Sequence, residues 1–135
     1  MNIKLDENLQ CILQVTLSIS DGRRSKPLKA LIDTGSYYNH VSAGYIDPDL
    51  QPIGKASFQT LGGKVEENDK YECFIEMPEL KIGGKFEFLR NIYLFHGIDV
   101  LLGTHFLYSF NFKYNCPSHG EFSIEPFINN PENQI

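Results

Sequence analysis

Long runs of any one kind are what this 135-residue sequence lacks. No run of Lys or Arg exceeds the Arg23-Arg24 pair and the formal net charge is −5, which argues against nucleic acid or an anionic membrane as a partner. No apolar stretch approaches the length of a bilayer span, and Met1-Asn2-Ile3-Lys4-Leu5-Asp6 lacks the apolar run of a signal peptide. A soluble, cytoplasmic domain is the expectation. Cysteine is scarce: Cys11, Cys73 and Cys116 are isolated, odd in number and without a CxxC pair, which suits a reducing compartment and argues against a disulfide framework. His96, His105 and His119 share no ligand-like spacing, so neither metal nor cofactor is expected. Helical periodicity is also missing, apart from one or two turns between Thr104 and Phe110.

What is present is alternation. Cys11, Leu13, Val15, Leu17 and Ile19 are apolar and their neighbours are mostly polar, the period-two mark of a half-buried strand. Asp21-Gly22 supplies a turn, and Leu28, Ala30 and Ile32 begin a returning strand that ends at Asp33. Thr60-Leu61-Gly62-Gly63-Lys64 reads as a hairpin tip, followed by Tyr71, Cys73, Ile75 and Met77 on one strand face with Glu72 and Glu76 on the other. Gly83-Gly84 is expected to turn the chain into a strand over Phe86 to Phe95. Val100-Leu101-Leu102 is a short apolar strand closed by Gly103, and Phe110, Phe112 and Tyr114 alternate before a turn at Cys116 to Gly120 and a return through Phe122 and Ile124. Short strands at regular spacing with glycine turns predict an all-β sandwich or barrel. With 41% hydrophobic and 21% charged residues the chain supports one globular domain, placed at 1–128, with a polar tail at 129–135.

One stretch does not fit a plain β-turn. Leu31 and Ile32 carry Asp33 directly into Thr34-Gly35-Ser36, so an apolar strand delivers a carboxylate to its end. As a bare tripeptide, Asp-Thr-Gly is a turn in which Asp accepts local backbone bonds. Here it is followed by Asn39-His40-Val41-Ser42, by a glycine-containing hairpin at Gln59 to Val65, and by Asp99-Val100-Leu101-Leu102-Gly103-Thr104-His105-Phe106-Leu107. In order and spacing these segments resemble the retropepsin-like aspartic proteases, from about Ile12 to Ile124.

The resemblance implies a closed, mostly antiparallel acid-protease barrel with one short helix near the C-terminal part. It implies an aspartic endopeptidase with Asp33 as catalytic residue, and Thr34, Gly35 and Ser36 as the supporting loop. Gly35 would let its backbone N–H reach the carboxylate, Ser36 would bond the outer oxygen of Asp33, and the Thr34 hydroxyl would lock two such loops together. Thr60, Leu61, Gly62 and Gly63 would form a mobile flap. Tyr37, Tyr38, His40, Val41, Leu101, Leu102 and Gly103 would line a pocket for bulky hydrophobic residues. His40, Tyr37 and Tyr38 depart from the family pattern, and so does Thr104, which follows the glycine where an arginine or methionine is common.

Metal-free peptide hydrolysis needs one group to take a proton from water and another to give one to the carbonyl; two adjacent carboxylates sharing a proton do both. No other aspartate here is followed by Thr-Gly or Ser-Gly, so one chain supplies one carboxylate and an active protease must be a homodimer acting on a peptide or protein. The segments before Cys11 and from Phe122 to Ile128 are the candidate interface strands. Two alternatives stand beside this reading: a catalytically silent dimer of the same fold that binds peptides, and a β-barrel binding module with an incidental Asp-Thr-Gly turn.

Overall fold

The longer strands form where the sequence alternates, and the register of neighbouring strands carries their apolar residues to one interior. The computed structural model describes residues 2–6, 8, 10–18, 23–46, 49–60, 62–91, 94, 97–115 and 121–126. Strand β1 is Asn2–Lys4, β2 Cys11–Ser18, β3 Leu28–Ile32, β4 His40–Ser42, β5 Gly54–Gln59, β6 Val65–Met77, β7 Ile82–Asn91 and β8 Val100–Leu102. Helix α1, Thr104–Leu107, follows, and β9 (Phe110–Asn115) and β10 (Glu121–Pro126) close the description. Ile19, the Asp21-Gly22 and Cys116–Gly120 turns, Leu61 and the tail 129–135 lie outside the described residues.

Seven strands form one sheet in the order β2-β3-β8-β4-β7-β6-β5, and a further pairing of β2 with β6 closes it into a ring. β6 is long enough to serve three neighbours: Val65–Lys70 pairs with β5, Lys70–Met77 with β7, and Phe74–Glu76 with β2. Most pairings are antiparallel, the exceptions being β3 with β8 and β4 with β7. Among the described residues the fold is therefore mostly β, with a sheet closing in a ring and one short α-helix near the C-terminal part. β1, β10 and β9 form a separate three-stranded antiparallel sheet, in which the two ends of the described chain pair with each other.

The ring encloses Leu13, Val15, Leu17, Ile75, Met77, Phe88, Val100 and Leu102, all buried, with Phe106 and Phe110 stacking at 4.8 Å between ring centroids where α1 meets the core. Cys11 and Cys73 are two of its small members, and burial pushes their thiols up to about 12 and about 11.

The expected turn at Gly83-Gly84 is corrected by the structure. Both glycines lie inside β7, opposite Glu76 and Ile75 of β6. The reversal comes earlier, in a 3-10 turn at Pro78–Leu80 closed by Lys81 in the left-handed region at φ 54°. Pro78 supplies the fixed φ that starts such a turn. The strand placed at Phe86 to Phe95 accordingly begins at Ile82 and ends at Asn91.

Candidate active site

Asp33 sits one residue past β3, where the sheet stops and the chain must turn. Its backbone N–H donates to the Leu102 carbonyl at 2.9 Å, extending the parallel β3–β8 pairing by one bond and tying the carboxylate-bearing residue to the adjacent strand end. The turn then folds back on the carboxylate: the Gly35 N–H donates to Asp33 Oδ1 at 2.8 Å, and Ser36 N–H donates to the Asp33 carbonyl at 3.2 Å. A Cβ on residue 35 would stand 3.2 Å from that same Oδ1, so the glycine allows the approach. Thr34 and Gly35 are exposed at the tip of the loop.

The far side of the loop is fastened to the start of α1. Thr104 N–H donates to the Ser36 carbonyl at 2.8 Å and His105 N–H to the Tyr37 carbonyl at 2.9 Å. Gly103, between β8 and α1, passes so close that a Cβ there would lie 2.5 Å from both the Ser36 and Tyr38 carbonyl oxygens. Its backbone has φ −95°, so the requirement is for space and not for an unusual dihedral. The Ser36 hydroxyl donates to the Tyr38 carbonyl at 2.9 Å, and not to Asp33 as the resemblance implied. The loop turns so that its side chain braces the Tyr37-Tyr38 segment instead.

Asn39 carries a role that its place in the sequence does not announce. It is almost wholly buried; its Oδ1 accepts from Gly103 N–H at 2.9 Å, its Nδ2 donates to the Glu87 carbonyl at 3.1 Å, and its carbonyl accepts from Leu89 N–H at 2.8 Å. One side chain thus joins the Asp33 loop, the β8–α1 junction and β7. Asn39→Leu leaves a buried N–H and a buried carbonyl without partners, and should cost about 3 kcal/mol, given about 1–3 kcal/mol for each orphaned buried group. Urea unfolding would check this as a lower midpoint at unchanged slope. Asp99 braces from the other side, accepting from Lys29 N–H at 3.0 Å and from the Tyr45 hydroxyl at 2.9 Å, a bond that raises the Tyr45 pKa.

In front of Asp33 lies a cleft of about 620 Å³, lined by Asp33, Gly35, Ser36, Tyr37, Tyr38 and His40, and by Phe58, Gln59, Thr60, Asn91, Leu94 and Leu101. Val41, Leu102 and Gly103, expected in this pocket, do not reach it. Strand alternation sends His40 and Leu101 to the cleft but Val41 and Leu102 to the core, and the side-chain direction of Gly103 is filled by the two carbonyls. Of the expected flap, Thr60 lines the cleft and Gly62 and Gly63 are exposed at the hairpin tip, while Leu61 lies outside the described residues. Gly63 takes φ 81° and donates its N–H to the Thr60 carbonyl at 2.9 Å, closing the turn. Phe58 and Gln59, on the strand leading to that tip, were missed because alternation in β5 is weak. Asn91, at the end of β7, carried no sequence signal.

His40 is nearly buried. Its Nδ1 lies 2.7 Å from Asn91 Oδ1, and Phe58 packs edge-on at 5.0 Å between centroids. Burial lowers its pKa, opposed by the Asn91 bond and by the negative charges of Asp33 and Glu66. An imidazole held neutral in the folded chain but free to protonate when unfolded binds fewer protons folded. Stability from this group is therefore complete above its ordinary value of 6.5 and is lost as pH falls below it, toward the lowered folded value. His40→Gln should lose less stability than wild type between about pH 7.5 and about pH 5 in paired urea unfolding experiments.

No protein-family model matches the chain, and no curated protein matches it in sequence. Its structure is similar to that of the simian foamy virus protease. The TM-score is 0.47 at 22% identity, over 69% of this chain and 87% of that one. The foamy viral protease-reverse transcriptase, in complex with an RNA/DNA hybrid, matches with TM-score 0.48 at 16% identity, over 68% of this chain but only 11% of that longer one. A Legionella pneumophila protein of unknown function matches with TM-score 0.45 at 14% identity, over 72% of this chain and 83% of that one. At these values no residue's role passes from those proteins to this chain.

Proposed function

We propose that the chain is a retropepsin-like aspartic endopeptidase that acts as a homodimer, with Asp33 from each of two copies forming the catalytic pair. The observation that carries this reading is the mounting of Asp33. An apolar strand, a backbone bond to Leu102 and a Gly35 N–H hold Asp33 on the lining of a cleft of about 620 Å³. A solvated Asx turn would supply the Gly35 bond, but not the apolar strand or the bond to Leu102.

The chemistry then follows from charge. Two carboxylates about 3 Å apart cannot both ionise comfortably, so they share a proton and titrate as a pair. The ionised partner takes a proton from a water held between them as that water attacks the peptide carbonyl, and the protonated partner gives its proton to the carbonyl oxygen. The tetrahedral diol collapses as the carboxyl that took the water's proton gives it to the amide nitrogen and the other, now ionised, takes a proton from a diol hydroxyl; the C–N bond breaks, the amine leaves, and the pair again shares one proton. Thr34 and Gly35, exposed at the loop tip, are the surfaces on which a second loop would rest. The hairpin between β5 and β6 would cover the bound peptide, and Tyr37, Tyr38, Phe58 and Leu101 would take bulky apolar side chains.

Sedimentation over a concentration series, run beside cleavage of an unfolded protein substrate from weakly acidic to neutral pH, tests the proposal. Specific activity should rise with the dimer fraction. Activity that stays constant per chain while the protein is monomeric would exclude a shared site, and an inactive dimer that retains peptide binding would favour the silent module.

A further inference from the structure

The cleft is not uniformly apolar. At one end the His40 ring meets Phe58 in a T-shaped contact, and His40 Nδ1 meets the carboxamide of Asn91. Asn91 Oδ1 already accepts from Asn68 Nδ2 at 3.1 Å, so it is the carbonyl oxygen that faces His40 Nδ1 at 2.7 Å. Nδ1 must then carry the imidazole hydrogen, and in the neutral ring Nε2 is left as an acceptor. Among the described residues Nε2 has no hydrogen-bond partner, and neither has the Asn91 Nδ2 group. No buried side-chain nitrogen or oxygen among those residues lacks a partner, so both groups reach open space: His40 lines the cleft, and Asn91 lines both the cleft and the adjoining pocket of Glu66, Glu67, Asn68 and Arg90.

We infer that His40 and Asn91 form a polar subsite that selects a substrate side chain carrying a carboxamide, glutamine or asparagine. Such a group has an N–H₂ for His40 Nε2 and a carbonyl for Asn91 Nδ2–H, and it is the common side chain that offers both at one end. An aliphatic side chain of equal length leaves both protein groups desolvated and unpaired, and a carboxylate brings only acceptors to meet the Nε2 lone pair, with Asp33 and Glu66 adding like charge nearby. Asn68 is the element that fixes this polarity. Because its Nδ2 donates to Asn91 Oδ1 from β6, that oxygen is committed to Asn68 and to His40 Nδ1–H, which leaves the Asn91 Nδ2 hydrogens and the His40 Nε2 lone pair for a ligand. This inference rests on the proteolytic reading and narrows it: hydrophobic residues flank the cut, and one position near it is a carboxamide.

The test is a peptide set in which each position flanking a cleaved bond carries Gln, Met, Glu, Asn or Leu in turn, digested by the full-length wild-type chain and by His40→Leu. At one position, kcat/KM for wild type should favour Gln over Met, or Asn over Leu, by about tenfold or more. His40→Leu should bring that ratio close to one. If wild type cuts the peptides with no carboxamide preference anywhere, the inference is overturned and the protease reading stands. If the ratio survives in a folded His40→Leu chain, the inference is likewise overturned. If no peptide is cut or bound, both fall. Should His40→Leu fail to fold, the wild-type ratios alone still decide.

Discussion

Asp33→Asn should lower kcat/KM for every peptide the wild-type chain cuts by about 10³-fold or more, the scale expected when a group that takes and gives protons is removed. The fold should survive. Asparagine keeps an Oδ1 that can accept the Gly35 N–H at the observed 2.8 Å, and the backbone bond from residue 33 to Leu102 does not involve the side chain. Far-UV circular dichroism and the sedimentation profile should match wild type while activity disappears. Residual activity above about one part in a hundred would assign the chemistry to another group. Mixing wild-type and Asp33→Asn chains sharpens the test: if each site needs a carboxylate from both copies, mixed dimers are inactive, and activity falls as the square of the wild-type fraction.

The second large effect is structural. Gly103→Ala places a methyl 2.5 Å from two carbonyl oxygens, Ser36 and Tyr38, both belonging to the loop that carries Asp33. Neither oxygen is at the end of a flexible side chain. Ser36 O also accepts from Thr104 N–H, and the Gly103 N–H is fixed on Asn39, so relief requires the loop and the β8–α1 junction to separate. We expect a loss of about 3 kcal/mol or more, at the upper end of overpacking costs, and loss of activity even where the chain still folds. Thermal unfolding monitored beside peptide cleavage would check both; an unchanged melting temperature would mean that the loop is not clamped against Gly103.

Why these features were legible is a matter of period. β2 and the second half of β6 alternate because one face of each meets the interior of the ring, and the residues expected inside, Cys11, Leu13, Val15 and Leu17 and Tyr71, Cys73, Ile75 and Met77, are buried there. The loop at Asp33 and the glycine at 103 were visible because close backbone approach leaves a glycine signature, absolute at Gly103 and a matter of tenths of an ångström at Gly35. That logic misled at Gly83-Gly84, where a pair of glycines lies within a strand while Pro78 and Lys81 make the turn. The pocket was half legible for a related reason. Spacing brought the correct segments together, but choosing Val41 and Leu102 over Phe58 and Asn91 required knowing which face of each strand looks into the cleft. Asn39 and Asn91 act through hydrogen bonds to groups 23 to 64 positions away in the chain, and no local pattern announces such bonds.

Ser36 is instructive in the same way. Its hydroxyl is close enough in sequence to serve Asp33, yet it bonds the carbonyl of Tyr38, where it holds the segment that lines the cleft. Its replacement by alanine should therefore change substrate affinity more than the acid limb of the pH–rate profile, which separates a positioning role from a proton-tuning one.

The most direct test of the central claim is the separation of the two Asp33 carboxyl groups in the assembled dimer, measured in a crystal structure of the full chain. The account predicts oxygens about 3 Å apart across a two-fold axis, within hydrogen-bond reach of one shared water. Carboxyl groups held apart by more than about 10 Å, each opening alone to solvent, would contradict it, because like charges at that distance are largely screened and share no proton.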